Sequence, residues 1–481
     1  MPLPLFLHRF TFFAVILGTL VRDRRNSRRA FESRRDRSLR ALLRHARQRV
    51  PFQRSRLAGV DLDDIRLDAI APTTKTAMMA SFDETIADGV VSLAEVQATE
   101  DASHRLELPI VRGRYLVVKT SGTSGEPSWL VCGLTEWAIL RGATFARMAR
   151  NWLTLRTVLA GRGRPLKAAT LAAAHAHSMT WQAARSTQKW AWPWVHSRFF
   201  PVIDSVERIV QGLNAFRPRY LHTYPTAAEM LARHRLAGGT FAFEPELLSV
   251  GSEPLTDIAR AAIRQAFPAT ELVNHYGMSE CLPLSTECRC GRLHINTDFA
   301  ILEAMDAQGR PVAPGELSDH VLVTNLVNRL QPIIRYRVED SVRIHDEPCA
   351  CGSVRPVVEV ESRKGSQIHL TDDRGGWQML SPPIVVDTML HAQGVALFQV
   401  VHARQNELEV KFIPIAAAEG AAAGDSIRQA FASTLRRLGC AGSVKVAVEQ
   451  VEVLERTALG GKLLQTVSRV APPAARAPAP D

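Results

Sequence analysis

Thr120-Ser121-Gly122-Thr123-Ser124-Gly125-Glu126-Pro127 places four hydroxyls and two glycines in eight consecutive residues, directly after the apolar run Tyr115-Leu116-Val117-Val118. A loop of this composition can wrap a polyphosphate. Glycines let the backbone approach closely, successive N–H groups form an anion-binding nest, and the hydroxyls add donors. It is not a Walker A loop, because no Gly-Lys-Ser/Thr follows. Taken alone, such a cluster is equally the composition of a plain surface turn. The segments that follow it in the chain decide between the two.

A chain of 481 residues exceeds one ordinary core, so two or three domains are expected. With 46% apolar and 22% charged residues it is a packed globular protein and not a disordered one. The net charge of +11 is concentrated: twelve arginines stand against Asp23, Glu32 and Asp36 between Val21 and Arg49, leaving the remainder close to neutral. Phe31, Leu39, Leu42, Leu43 and Ala46 recur in that segment at near-helical spacing, which predicts solvated helices laid on the body of the protein. Nucleic acid is not an expected partner, since no aromatic interleaving or known motif accompanies the arginines. The preceding run Phe10–Val21 is too short to span a bilayer and no small-residue cleavage site follows it. It reads as a buried or interfacial helix, with weak membrane association through the N-terminus as an option. A cytoplasmic location is expected.

Of seven cysteines, Cys132, Cys281 and Cys440 stand alone. The other four form two matching knuckles, Cys288-Arg289-Cys290-Gly291 and Cys349-Ala350-Cys351-Gly352. Paired Cys-x-Cys-Gly knuckles argue for a thiolate metal site over disulfides, with tetrahedral Zn²⁺ in a structural role as the expected occupant. His294 is close enough in sequence to replace one cysteine.

Residues 1–110 read as a basic helical region packing on the core. From 111 to 362, strand-like runs such as 168–174, 220–222 and 247–250 alternate with helical patterns such as 226–235, as in βα units on a parallel sheet. From 363 to 470 the pattern becomes a compact α+β module, with alternating strands near 397–401 and 407–412, a helix over 425–438 and a strand over 444–453. Residues 471–481 form a Pro/Ala tail expected to be disordered.

Four further segments follow the hydroxyl-rich loop in order: Gly251-Ser252-Glu253-Pro254; Asn274-His275-Tyr276-Gly277-Met278-Ser279-Glu280; Pro332-Ile333-Ile334-Arg335-Tyr336-Arg337-Val338-Glu339-Asp340; and Thr457-Ala458-Leu459-Gly460-Gly461-Lys462. Their order resembles the adenylate-forming superfamily of acyl-CoA synthetases, adenylation domains and luciferases. The Ile-Arg-Tyr-Arg wording, the segment from Phe216 to Thr226 with Tyr224, and the Cys-x-Cys-Gly pairs resemble its phenylacetate–coenzyme A ligase branch and that branch's capsular-polysaccharide relatives. The resemblance spans about residues 115–465.

It implies an α/β fold: a large N-terminal domain with mostly parallel sheets flanked by helices, plus a small mobile α+β C-terminal lid domain turning about a hinge near Gly365. Thr120, Ser121, Gly122, Thr123, Ser124 and Gly125 would grip the phosphates of ATP, with Thr123 also counted as catalytic; Ser128 stands after Pro127 where the family often has lysine. Glu280 would hold Mg²⁺, a hard cation that takes oxygen ligands. Gly251, Ser252, Glu253, Asn274, His275, Tyr276, Gly277 and Ser279 would border the nucleotide. Asp340 would accept the ribose hydroxyls, unless it pairs instead with Arg337 or Arg343, and Arg363 would contact the ribose. Lys462 would stabilise the charge that develops as a carboxylate attacks the α-phosphorus. The acid pocket would involve His177 and Tyr224; His175 and His177 are equally readable as structural histidines.

The implied activity is ATP-dependent activation of a small aryl or acyl carboxylic acid as its adenylate. Thioester formation would follow, with coenzyme A as the default acceptor and a carrier-protein thiol or an amine as the alternative. A reading of a different class is a degenerate adenylating fold acting as a basic nucleic-acid- or membrane-binding protein.

Overall fold

A computed structural model describes residues 3–25, 27–100, 107–120, 128–152, 165–172, 174, 177–190, 194–202, 204–363, 368–380, 384–385, 388–389, 391–416, 419–455 and 463–470. The chain divides into two compact units, the first from Met1 to Val360 and the second beginning at Glu361.

The first unit is built on a nine-stranded sheet. Its strands lie in the order Asp340–His345, Val357–Arg363, Leu293–Ile295, Ser285–Glu287, Glu271–Tyr276, Leu247–Gly251, Tyr220–Thr223, Leu166–Ala172, Val195–Pro201. Parallel pairing covers the last five of these, from the 271–276 strand outward. Beyond the 271–276 strand the neighbours Ser285–Glu287 and Leu293–Ile295 pair antiparallel, because tight turns join them instead of crossover helices.

Both faces are covered, which is why the central strands read as continuous apolar runs without alternation. Leu247–Gly251 is buried at every position. Leu171, Leu221, Leu248 and Val250 face the helices Val206–Phe216, Pro225–Leu236 and Asp257–Ala266. Leu247 and Val273 face the helix Leu134–Met148 on the other side. Local signals set the helix ends. The Ser205 and Thr256 hydroxyls accept N-terminal N–H groups, and Pro225 opens its helix at a position where no amide donor is needed. The 166–172, 220–223 and 247–251 strands and the 225–236 helix fall within two residues of their expected bounds.

Two basic helices precede this body, α1 (Leu3–Arg25) and α2 (Arg28–Arg49). The α2 residues Phe31, Leu39, Leu42, Leu43 and Ala46 are its buried positions, as the spacing predicts. α1 packs on the 134–148 helix at a point where a Cβ on Gly142 would come within 2.9 Å of the Phe12 carbonyl oxygen, so only glycine allows this approach. A buried ion cluster pins its C-terminal end. Arg147 Nη2 lies 3.2 Å from Asp23 and 2.8 Å from Asp298. Burial would raise the Asp23 carboxyl, yet the Arg147 and Arg355 guanidiniums outweigh it and hold the group below its ordinary value.

The second unit is a four-stranded sheet in the order Lys445–Gln450, Glu407–Pro414, Val395–Arg404, Thr466–Ser468, with the helix Gly420–Arg437. Ile427, Phe431 and Leu435 of that helix bury against Phe398, Val400, Val410 and Phe412. Asp481 and the rest of the 471–481 tail lie outside the described residues.

Candidate active site

The parallel strands 166–172, 220–223, 247–251 and 271–276 are adjacent, so their carboxyl ends, at Ala172, Thr223, Gly251 and Tyr276, share one edge of the sheet. Open α/β sheets bind ligands off that edge. Residues singled out between 175 and 280 follow the ends of these strands: His177 after the first, Tyr224 after the second, Ser252 and Glu253 after the third, Gly277 to Glu280 after the fourth, while Gly251, Asn274, His275 and Tyr276 lie on the strands themselves.

The hydroxyl-rich loop arrives from a separate hairpin, Tyr115–Lys119 with Trp129–Gly133. Its base is closed by Thr120, whose N–H donates to the Ser128 carbonyl (2.9 Å) and whose Oγ1 accepts from the Ser128 N–H (2.8 Å). The Lys119 N–H donates to the His177 carbonyl (3.2 Å), which ties the hairpin to the carboxyl edge of the sheet. Ser121, Gly122, Thr123, Ser124 and Gly125 lie outside the described residues, as do His175, Gly460, Gly461 and Lys462.

The Tyr276 hydroxyl donates to Asp340 Oδ2 at 2.6 Å, joining two motifs 64 positions apart. Asp340 opens the strand Asp340–His345 and is buried. Arg337, offered above as a partner for Asp340, is turned to Glu339 (2.8 Å) and Asp319 (3.8 Å). Gly277 makes the turn possible, since a Cβ there would lie 2.2 Å from the Leu282 carbonyl oxygen. That turn carries Ser279 and Glu280, and Asn325 Nδ2 donates to the Glu280 carbonyl (2.9 Å). Glu253 Oε2 accepts from the N–H and hydroxyl of Thr226 (3.2 and 2.7 Å), so it caps the 225–236 helix. The Asn274 N–H donates to Glu287 Oε2 (2.6 Å), and Glu287 Oε1 lies 2.6 Å from Arg260 Nη2.

Two residues expected to line the acid pocket are buried. His177 is fully buried, with Nε2 2.9 Å from Thr99 Oγ1 and its ring edge-on to Trp129 at 5.2 Å. It braces the hairpin from beneath, as a structural histidine would. Tyr224 is 1% exposed and belongs to the hydrophobic core beneath the 225–236 helix. Neither side chain faces solvent. Arg363 ends its strand, and its side chain lies outside the described residues.

Sequence reading missed a polar layer beneath this edge. His222 Nδ1 and the Tyr220 hydroxyl each lie 2.8 Å from Ser249 Oγ, and the His222 and His275 rings stand 5.4 Å apart. A Cβ on Gly251 would meet His275 Cε1 at 2.3 Å, so glycine is what admits the ring. The available signal was Ser249, one hydroxyl in an otherwise apolar strand. Burial, with the neighbouring His275 and Arg141 charges, pushes His222 down to about 3, and burial pushes His275 down to about 4. Both rings are therefore neutral when folded and take up protons on unfolding below their ordinary value near 6.5. Their contribution to stability is complete above about pH 7 and is lost as pH falls. Between pH 7.5 and 5.5 the pair should cost up to ~3 kcal/mol of unfolding free energy. Urea melts of the wild type and of His222→Gln at the two pH values check this: the variant should lose less on acidification.

The cysteine knuckles sit beside the sheet's antiparallel extension. Cys288, His294, Cys349 and Cys351 present ligand atoms that all lie within 4.8 Å of one another. Cys290 is exposed and outside this group, so His294 stands where the four-cysteine expectation has Cys290. Gly291 (φ 77°) and Gly352 (φ 83°) both take the left-handed conformation that closes each knuckle. Cys288 Sγ and Cys349 Sγ are 3.8 Å apart, matching the edge of about 3.8 Å for a tetrahedron with ~2.3 Å metal–sulfur bonds. His294 Nδ1 is 2.8 Å from the Arg355 carbonyl and must donate to it. This leaves Nε2, 3.3 Å from Cys351 Sγ, as the unprotonated atom a metal needs.

A hairpin tied to the carboxyl edge of a parallel sheet, with the Tyr276–Asp340 pair at that same edge, is an α/β arrangement of the class that binds ligands off the strand ends. The chain belongs to the AMP-binding enzyme family, whose model matches residues 38–318, more than half of its length. It is similar to the protein CapK of Staphylococcus aureus, at 29% identity over 145 residues, about 30% of each chain. Among solved structures it resembles 2-hydroxyisobutyryl-CoA ligase in the postadenylation state in complex with R3-HIB-AMP. That likeness has a TM-score of 0.66 at 18% identity, over 90% of this chain and 88% of that one. The same ligase with 2-HIB-AMP and CoA in the thioesterification state gives 0.55 at 18% identity, over 92% and 90%. At such identities the likeness shows the fold, which carries a C-terminal domain after the large sheet-bearing one.

Proposed function

We propose that this protein activates a small organic carboxylic acid with ATP and passes the acyl group to a thiol, coenzyme A being the first candidate. In the first step a carboxylate oxygen bonds to the α-phosphorus and the bond to the leaving pyrophosphate breaks. In the second, a thiol sulfur attacks the acyl carbon of the adenylate and AMP leaves. The observation that carries this reading is the Tyr276–Asp340 pair, set at the carboxyl edge to which the Thr120–Ser128 hairpin is tied.

Each residue has a part in that chemistry. Asp340 would accept the ribose hydroxyls, with Tyr276 holding one carboxylate oxygen in place. Thr120 anchors a loop whose consecutive N–H groups would receive the departing phosphates. Glu280 would hold Mg²⁺, which would supply charge neutralisation at the phosphates. Relatives described with acyl-adenylates and CoA support the substrate class without naming this chain's acid. ATP–pyrophosphate exchange with a panel of aryl and acyl acids tests the first step, and thioester formation with coenzyme A tests the second. Exchange with no acid, and no binding of ATP, would remove the reading.

The Cys288–His294–Cys349–Cys351 set is proposed to hold one structural Zn²⁺, its four donors leaving no position for a reacting water. Metal analysis of protein purified without chelator should find about one zinc per chain. Cys351→Ser should empty the site and lower the Tm by roughly 5–10 °C. Cys290→Ser should leave both values unchanged. Zinc loss in the Cys290 variant instead would return the site to four cysteines.

A further inference from the structure

We propose that α1, with the unpaired arginines at and beyond its C-terminal end, is a docking surface for an anionic phospholipid membrane, on which the helix lies within the headgroup layer.

Of the ten large apolar side chains exposed among the described residues, Phe10, Phe13, Leu17 and Val21 lie on this helix, and a fifth, Trp194, stacks edge-on against Phe13 at 5.4 Å. Phe10 and Leu17 are each 65% exposed. At about 100° per residue, Phe10, Phe13, Leu17, Val21 and Arg24 fall within an arc of roughly 80°. The opposite face, with His8, Thr19 and Asp23, is buried. The Arg147–Asp23 ion pair and the close approach at Gly142 fix the rotation of the helix, so the apolar stripe cannot turn inward.

Charge selects the occupant. No acidic residue occurs before Asp23, and Asp23 is buried in its ion cluster. Arg24 continues the stripe, and Arg29, Arg34 and Arg37 of α2 are exposed with no carboxylate partner among the described residues. An apolar stripe followed by unpaired arginines matches a surface whose apolar interior lies under anionic headgroups. A second copy of the chain would bring two arginine-rich segments together, and a nucleic acid would leave the phenylalanines and leucine exposed. No described helix is long and apolar enough to cross a membrane, so the helix is placed on the surface.

Flotation of the full chain with vesicles tests this. Partition onto phosphatidylcholine vesicles containing phosphatidylglycerol should exceed that onto phosphatidylcholine alone by ~10-fold or more, and should weaken as salt is raised. Phe10→Ser with Leu17→Ser should lower binding to the mixed vesicles by ~10-fold or more, as should Arg24→Glu with Arg29→Glu and Arg37→Glu. Thermal melts should show both variants folded, since all the altered side chains are exposed. Equal partition onto both vesicle types, or onto neither, would overturn the proposal. So would a concentration-dependent dimer that the Phe10/Leu17 variant abolishes, in a chain that no vesicle retains; the stripe would then belong to a second copy.

Discussion

Protein carrying Asp340→Ala is expected to need about 10²-fold more ATP, or more, for half-maximal pyrophosphate exchange, with a much smaller change in kcat. The magnitude follows from the proposed bonds. Two ribose hydroxyls donating to an ionised carboxylate contribute about 1.5–3 kcal/mol each, in a buried position where water cannot substitute fully. Ribose lies away from the reacting phosphorus, so the loss falls on ground and transition states alike and appears in KM. The alanine also strips the Tyr276 hydroxyl of its 2.6 Å acceptor, so Tyr276→Phe is the informative companion. It should move KM only by a few-fold, because it removes a positioning contact and leaves the carboxylate in place. An unchanged KM for ATP in Asp340→Ala would remove the aspartate from the nucleotide site.

The second large effect concerns Lys462. Its replacement by alanine is expected to slow adenylate formation by ~10²–10³-fold while leaving ATP affinity nearly unchanged. Under the proposed reaction, a cation meeting charge that appears only in the transition state would act on the rate and not on ground-state binding. Thioester formation from a supplied acyl-adenylate and coenzyme A should proceed within a few-fold of wild type, since no pyrophosphate leaves in that step. Equal losses in both half-reactions would point to a folding defect or a shared role. Loss confined to thioester formation would contradict the assignment.

Local chemistry was the most legible layer. The Cys-x-Cys-Gly knuckles act through neighbours in sequence, and the left-handed Gly291 and Gly352 follow from their spelling. The apolar positions of α2 were readable because a helix repeats its buried face every 3–4 residues. Strands buried on both faces lose such periodicity, so the 247–251 segment announces itself by composition alone. The inward turn of Tyr224 carried no such signal, and the His222–Ser249–Tyr220 layer showed only as one hydroxyl, Ser249, in an otherwise apolar strand.

By itself, the sequence determined the family and the order of the motifs proposed to bind nucleotide, because gripping phosphates would require consecutive backbone amides and small residues written side by side. Tertiary structure alone decided which side chains meet. Tyr276 reaches Asp340, His294 joins three thiols in place of Cys290, His177 turns under a hairpin, and α1 keeps its phenylalanines outward. Those outcomes depend on which strands and helices lie together across many tens of residues. Burial summed over the whole core sets that arrangement, and no local pattern records it.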